Sequence, residues 1–555
     1  MNSRLTPQEL LRAILTWFIV LSAGLLLFLL FMSKQLDAIT DLDALDYAQV
    51  ARNVAEGQGY STEFVRPLSL AQIPQIDHHP EMTFMPLHPL FMAAIISVVG
   101  ATKQAVALAS ALPFLATLIL IYLLGLRYFD RRVAILSVLL LATNIWVLRF
   151  AISGLEGPLL GFLFTAMLLV LHVAEGSRRQ VWWMIPAGVL LGLLTLTKEV
   201  WGLALIPTVF YVWLSAERRR RLPCLGLFLV AFVLVLAPWA VRMAHLTGNP
   251  LFTWRWYESV METQTNPANT LYRSYQAGLQ SPLQMIILHP KEMLVKVLSG
   301  FGSLYPALPI AIGPYVAAFF IVAIVVPLGD ARFERMRYLV YACYLLIFLL
   351  LVIILPAPRL LFPVVPIASL IAAACFLRIL GPLVRKLREP IQQRGLVWAM
   401  VILVLVQAIP VTLDLFHPEE ILPTLNLSQI EALSKAVADA TTGPIVTDVP
   451  WWIAWYADRT AIWVPRSWDH MDRMGQDIGQ VRFLLLTPWI AQWAERERAA
   501  EWAQMWSAAL SGEPVQSHGF VVYRIYPNRW VLFVRSPQAT PASIPSGTPP
   551  PSTEP

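Results

Sequence analysis

From position 14 to position 413 the chain returns repeatedly to apolar runs of about 17 to 24 residues, each able to cross a hydrocarbon core of about 30 Å as one helix. In lipid a backbone must satisfy its own hydrogen bonds, so this pattern confines the chain to a helical bundle. Composition agrees, with 57% hydrophobic and only 14% charged residues, far from a soluble globular balance. The first run, 14–32, is long enough to span and is followed by no small-residue cleavage pattern, so it is expected to stay as an anchor.

The formal net charge of +6 does not mark a nucleic-acid partner, because Lys and Arg gather in short loops between apolar runs. Arg4 and Arg12 precede the first run. Arg127, Arg131 and Arg132, then Arg178 and Arg179, the block 218–221, Arg332, Arg335 and Arg337, and Arg385, Lys386, Arg388 and Arg394 follow later ones. Cytoplasmic loops carry this excess of positive charge, which orients the chain. Spans are expected near 13–32, 104–126, 133–150, 157–174, 181–197, 200–216, 223–240, 305–328, 338–356, 361–380 and 395–413. That makes about eleven, with the N-terminus inside and the C-terminus outside. The apolar piece 86–100 is short for a crossing and reads as a re-entrant or interfacial helix. Cys224, Cys343 and Cys375 all lie in apolar runs, an odd set without paired spacing, and read as small buried hydrophobes.

Within residues 1–413 this topology leaves two large outer loops, 33–85 and 241–304. Residues 414–535 mix polar and aromatic positions, with a turn into a short strand within 441–450 and strand-like runs at 481–486 and 520–526, and are expected to form a small extracytoplasmic α/β domain. The tail 536–555 is rich in Pro, Ser and Thr and is expected to be disordered.

The chemistry concentrates in the first outer loop, where Asp37, Asp41, Asp43 and Asp46 fall within ten residues. Ala44, Tyr47, Ala48, Ala51 and Ala55 are spaced to line one face of a helix that Asp43 begins. Asp43 is then either its N-cap, with Asp46 favouring the helix dipole, or a general base or ligand for a divalent cation. Asp37 and Asp41 read as loop charges. Glu156, in Ser153-Gly154-Leu155-Glu156-Gly157-Pro158, lies at the outer end of a span, where an ionisable residue is costly unless paired, hydrated or used. The adjacent Lys198 and Glu199 are expected to pair with each other. Arg359, between Pro358 and Leu360, departs from the positive-inside bias; it can clamp a phosphate bidentately or snorkel to headgroups, and the clamp is favoured. Arg242 is a weaker instance of the same kind. His78, His79 and His88 match no zinc spacing, and they read as a polar loop that packs over the site or contacts substrate. No P-loop, dinucleotide fingerprint or nucleophile elbow is present in the sequence.

Four motifs in order, Asp43-x-x-Asp46-Tyr47-x-x-x-Ala51-Arg52-x-x-x-x-Gly57-x-Gly59-Tyr60, Pro86-Leu-His-Pro89, Gly154-Leu-Glu156-x-Pro158 and Arg359-x-x-x-Pro363-x-x-Pro366, give the chain a family likeness. It resembles the GT-C superfamily of integral membrane glycosyltransferases, in the bacterial branch similar to dolichyl-phosphate-mannose protein mannosyltransferases and the lipid A aminoarabinose transferase. The resemblance implies transfer of a hexosyl or pentosyl group from a polyprenyl-phosphate donor to a protein, lipid or cell-envelope glycan acceptor at the outer face of the cell membrane. By the same resemblance Asp43 and Glu156 would be the catalytic acids and Asp46 a supporting acid. Arg359 and Arg242 would bind the donor phosphate, and Tyr47, His78 and His79 would contact substrate. A divalent cation is the one candidate cofactor, its requirement left open. Two departures stand out: Asp43 is followed by Ala44 rather than a second acid, and Phe84-Met85-Pro86 replaces a Lys-Pro-Pro, so no lysine contact to the phosphate carries over. The alternative reading is a transporter or flippase of lipid-linked sugar. Transport paths place ionisable groups near the midplane, whereas here they gather at span ends.

Overall fold

The computed structural model describes residues 22–276, 282–329, 331–384, 391–416, 427–514 and 518–536, apart from positions 23, 35, 37, 38, 40 and 497. Arg4, Arg12, part of the expected 13–32 span, Asp37, the cluster Arg385, Lys386 and Arg388, and all but the first residue of the 536–555 tail lie outside the described residues. The chain divides into two compact units: 1–62, 78–266 and 279–427 form one, and 63–77, 267–278 and 428–555 the other.

The first unit is helical. Among the described residues, 8 helices are long and apolar enough to cross a membrane, or 9 if one bent pair counts as a span. The chain is a multi-pass membrane protein. Three stretches differ from the expected spans, each for a local reason. The run 133–150 bends by 63° between Arg131–Ala142 and Ile145–Ile152. Asn144 makes that break: its side chain accepts from the Val147 N–H at 3.2 Å, capping the second helix, and donates to the Ile312 carbonyl at 2.8 Å. The run 305–328 is divided at Gly313 (φ 89°) between Ala307–Ile312 and Pro314–Val322. The φ of Gly313 is one that residues with a side chain rarely adopt, and a Cβ there would also press on the Gln407 amide, 2.4 Å away. The run 200–216 begins as a 3-10 turn, Glu199–Ala204, before the short helix Leu205–Ser215. The second expected loop, 241–304, is shortened from both ends, because helices extend over Arg221–Thr247 and Pro290–Leu304. The piece at 86–100 is the helix Leu87–Val99, ended by Gly100 at φ 89°.

Close backbone approach fixes one helix pair. Gly188 and Gly192, one turn apart on Gln180–Thr197, face the helix Arg221–Thr247, the small-residue contact that lets membrane helices pack without side chains between them. A Cβ at Gly188 would lie 2.3 Å from the Phe228 carbonyl oxygen, and at Gly192 it would lie 2.7 Å from the Val235 Cβ. Neither atom can rotate away, since a Cβ is as fixed by its own backbone as a carbonyl oxygen is. Gly188→Ala and Gly192→Ala are each therefore expected to lower stability by about 1–3 kcal/mol, the range for overpacking. Thermal denaturation of the two purified variants measures the loss.

The second unit holds a six-stranded sheet. Its strands are β2 (Phe64–Val65), β4 (Ile445–Thr447), β5 (Ala461–Trp463), β6 (Phe483–Leu486), β7 (Phe520–Ile525) and β8 (Val531–Arg535), in the order β2-β5-β4-β6-β8-β7. The two remaining strands, β1 (Ser61–Thr62) and β3 (His79–Pro80), pair antiparallel in the first unit. In the six-stranded sheet β2, β5, β4 and β6 run parallel, and β8 and β7 antiparallel. The α/β character was legible from the turn and short strand within 441–450 and from 481–486 and 520–526, while β5 and β8 were not foreseen. Nor was the contribution from the two loop segments. Val65 pairs with Ile462 in the sheet, and buried Arg273 donates to the Val464 and Pro465 carbonyls at 2.8 and 3.2 Å. Loop residues 63–77 and 267–278 are thus part of this unit rather than of a membrane-side loop alone.

Asp448, directly after β4, is buried, and its carboxylate accepts from the Thr487 N–H at 3.1 Å and the Thr487 hydroxyl at 2.8 Å. Burial pushes its carboxyl up to about 7, outweighing those donors. Between about pH 4 and pH 7 the folded unit then holds a proton the unfolded chain has lost, so stability falls as pH rises through that window and is level above it. Hydrogen exchange of β4 and β6 amides, corrected for intrinsic rates, is expected to speed up from pH 5 to pH 7 in wild type and to stay level in Asp448→Asn.

Candidate active site

Asp43 is carried by the helix Leu42–Ala55, but it is not the residue that starts it. Asp41 is the N-cap, in extended conformation, its Oδ1 accepting from the Asp43 N–H at 2.9 Å and the Ala44 N–H at 3.3 Å. This corrects two sequence readings at once: Asp41 is a cap rather than a loop charge, and the side chain of Asp43 is released from capping. Ala44, Tyr47, Ala48 and Ala51 are buried as their spacing anticipated, and Ala55 is half-buried.

Arg359 reaches the same place from a 3-10 segment, Pro358–Val364. Two contacts hold that segment: the Trp201 indole N–H donates to the Leu360 carbonyl at 2.9 Å, and the Phe362 ring packs over Gly157 and Gly161, where an added Cβ would meet it at 3.4 Å. The guanidinium bonds the Asp43 carboxylate directly and lies 4.0 Å from Asp41. The three side chains are each about a third exposed, at 32% for Arg359, 34% for Asp41 and 35% for Asp43, so the pair faces solvent and is open to a ligand. Partial burial and the Asp43 charge push the Asp41 carboxyl up to about 6. Asp43 feels the same burial, but the Arg359 guanidinium prevails and holds its carboxyl below the ordinary value. Two adjacent acids with affinities driven apart can divide acid and base roles.

Behind this open pair lies a dry one. Lys198 Nζ is 3.1 Å from Glu156 Oε1 and 3.2 Å from the Tyr47 hydroxyl, with the Lys198 and Glu156 side chains each 3% exposed. Lys198 pairs with Glu156, not with its neighbour Glu199, which accepts instead from Arg255 at 3.0 Å. Lys198 is extended (φ −154°, ψ 116°) where the helix Gln180–Thr197 ends, and Glu199 opens the next turn. Successive side chains of extended backbone point to opposite sides. Glu156 sits at the N-cap position of Gly157–Ala174 without capping it. Burial opposes its charge, yet Lys198 holds its carboxyl below the ordinary range. The turn before it is fixed by Gly154 (φ 81°), where a Cβ would fall 2.4 Å from Val106, and by the 2.8 Å bond between the Gly154 carbonyl and His88 Nε2. The Tyr47 ring packs at 4.3 Å from Phe84 and 5.0 Å from His88, joining helix, loop and turn.

The other expected site residues lie in different surroundings. Asp46 is fully buried and accepts from the Gln49 amide at 3.0 Å, while Gln49 also donates to Thr62 at 2.7 Å. Arg242 donates to the Tyr60 carbonyl at 3.0 Å and stacks on Tyr60 and Trp239, at 5.2 and 5.0 Å. His79 is buried in β3 and His78 is exposed. His88, expected with His78 and His79 in a loop over the site, bonds the Gly154 turn instead, and Lys198 is the residue the sequence reading did not bring into the site. An ionisable residue closing an apolar run was the available signal for Lys198.

A divalent cation fits poorly. Among the described residues no three His, Cys, Asp or Glu side chains converge as a ligand set, and Asp43 carries a guanidinium where it would need to carry a metal.

This arrangement, a helical membrane unit with an acid and a guanidinium at one end and a separate small sheet unit, is the GT-C fold anticipated from the motifs. ArnT from Cupriavidus metallidurans, bound to undecaprenyl phosphate, matches with a TM-score of 0.56 over 95% of this chain and 99% of that one, at 16% identity. Its apo state gives 0.58 over 94% and 98%, at 15% identity. The archaeal oligosaccharyltransferase AglB from Archaeoglobus fulgidus, in complex with an inhibitory peptide and a dolichol-phosphate, gives 0.53 over 95% and 75%, at 13% identity. At these identities the likeness is one of fold. The family model described as dolichyl-phosphate-mannose-protein mannosyltransferase matches residues 78–242, a stretch that contains His88, Glu156, Lys198 and Arg242. By sequence, no curated protein matches the chain.

Proposed function

We propose that the chain is a membrane glycosyltransferase that moves a hexosyl or pentosyl group from a polyprenyl-phosphate carrier to an acceptor hydroxyl or amine at the outer face of the cell membrane. The observation that carries this reading is the solvent-open pairing of Asp43 with Arg359, a base and a phosphate-binding cation in contact. The undecaprenyl phosphate in the ArnT structure and the dolichol-phosphate in that of AglB support a lipid-phosphate donor.

In this reading the donor phosphate takes the Arg359 guanidinium, whose planar fork matches phosphate oxygens. Asp43 thereby loses its counterion, and its proton affinity rises from the depressed value toward one suited to a base. The acceptor oxygen or nitrogen then attacks the anomeric carbon, its proton passes to Asp43, and the bond from that carbon to the phosphate oxygen breaks. The polyprenyl phosphate leaves with its charge neutralised by Arg359. Carboxylates nearby favour the oxocarbenium character of the sugar in transit. Glu156 and Lys198 hold the floor of the site and set the local field, rather than exchanging protons with substrate.

The expected consequence is measurable without knowing the sugar. Arg359→Ala is expected to weaken binding of undecaprenyl phosphate to the protein in nanodiscs by about tenfold or more, the effect of losing a charge-assisted hydrogen bond. Unchanged affinity would remove Arg359 from the donor site.

A further inference from the structure

A groove of about 530 Å³ lies between the short helix Leu205–Ser215 and the helix Ala331–Ile354, apart from the acidic site. Its walls are apolar and include Ile206, Phe210, Leu214, Leu346 and Leu349, of which Phe210 and Leu214 are each 64% exposed. Both helices belong to the membrane unit, so the groove opens where a bilayer would cover it. From Arg335 to Leu349 it runs about 20 Å at 1.5 Å per residue, roughly two thirds of a hydrocarbon core. No headgroup is that long. An alkyl chain is.

One end of the groove is charged. Arg335 lines it, and its guanidinium bonds Glu175, whose other oxygen accepts from the Tyr211 hydroxyl at 3.2 Å. The Arg335 side chain is 37% exposed, so its guanidinium remains partly open beside the groove while it holds Glu175. A planar, partly open guanidinium can take a phosphate oxygen as well. The same end of the bundle is basic: Arg332 lies beside Gly176, Arg178 and Arg179 follow, and the block 218–221 closes the helix Leu205–Ser215. Among the described residues Glu175 is the carboxylate paired with Arg335, and the surrounding arginines outnumber it.

We infer that this groove binds one anionic glycerophospholipid, an acyl chain lying along its apolar walls and the phosphate on the Arg335 guanidinium. Basic pockets between membrane helices take anionic headgroups by this chemistry. Charge complementarity selects the lipid by its headgroup, and the length of the walls seats its chain. The site is separate from that of the proposed transfer reaction and does not depend on it.

Delipidated full-length protein titrated with dioleoyl-phosphatidylglycerol or dioleoyl-phosphatidylcholine, read by native mass spectrometry, tests the inference. Wild type is expected to bind the phosphatidylglycerol at least tenfold more tightly. Ala342→Trp, which fills the groove and leaves its charges intact, is expected to lower that binding at least tenfold. Arg335→Lys, which keeps a cation for Glu175 but lacks the planar guanidinium fork, is expected to lose most of the headgroup preference. Equal binding of the two lipids would overturn the inference, as would undiminished binding by a folded Ala342→Trp, or displacement of phosphatidylglycerol by an equimolar amount of undecaprenyl phosphate.

Discussion

Asp43→Asn is expected to reduce glycosyl transfer by about 10²- to 10⁴-fold, the range for removing a positioned general base, while the protein folds and inserts as before. The second half of that expectation comes from the cap. Asp41, not Asp43, satisfies the first N–H groups of the helix Leu42–Ala55, so the substitution leaves the helix start intact. The pairing of Asp43 with Arg359 is about a third exposed, and exposed ion pairs contribute only about 0–1 kcal/mol. Asp41→Asn supplies the control, because Asn caps a helix about as well as Asp. It is expected to fold normally and to retain most activity, with any effect small below about pH 6, where Asp41 is itself protonated, and growing as pH rises above it. If the Asp41 variant failed and the Asp43 variant worked, the roles assigned to the two acids would be reversed. Turnover of a lipid-phosphate sugar by the two purified proteins, across pH 5–8, separates them.

The second large effect is on stability. Removing either partner of the Lys198 and Glu156 pair leaves a charge in a site where both side chains are 3% exposed. Breaking a buried pair in this way costs about 3–5 kcal/mol. Lys198→Met and Glu156→Leu are each expected to lower the denaturation midpoint sharply. The double variant is expected to recover much of the loss, since paired desolvated charges are often no more stabilising than apolar side chains of similar size. A double-mutant cycle on thermal denaturation in detergent reads this directly. Single variants as stable as wild type would mean that water reaches the pair. Tyr47→Phe is a milder probe: it deletes the hydroxyl 3.2 Å from Lys198 and keeps the ring against Phe84 and His88.

The membrane class was plain in the sequence because apolar length is a one-dimensional property, and it survives without knowledge of packing. Helix breaks were harder to see. Asn144 and Gly313 sit in apolar stretches whose mean hydropathy hides them, and the partners that make them breaks, Ile312 and Gln407, are distant in sequence. The acid and the arginine of the candidate site were legible for the same reason Asn144 was not: a charge at the edge of lipid is conspicuous. Their pairing, across more than three hundred residues, was not legible. Lys198 was misread because the adjacent Glu199 offered an obvious partner, and only the extended backbone at Lys198 turns the two apart. The cap was misplaced by two residues because Asp41 and Asp43 are both good caps and periodicity alone cannot choose between them. In the second unit the sheet borrows β2 from the loop after the first acidic helix, a long-range parallel pairing that no local pattern announces.

The most direct test of the central proposal is identification of the product. Purified protein in proteoliposomes, supplied with a panel of undecaprenyl-phosphate sugars and total membrane acceptors, is expected to yield a new glycosylated species by mass spectrometry, together with free undecaprenyl phosphate. Neither should form with Asp43→Asn. Sugar lipid that crosses the bilayer without any new glycosidic bond, equally in wild type and in Asp43→Asn, would contradict the account and favour a transporter.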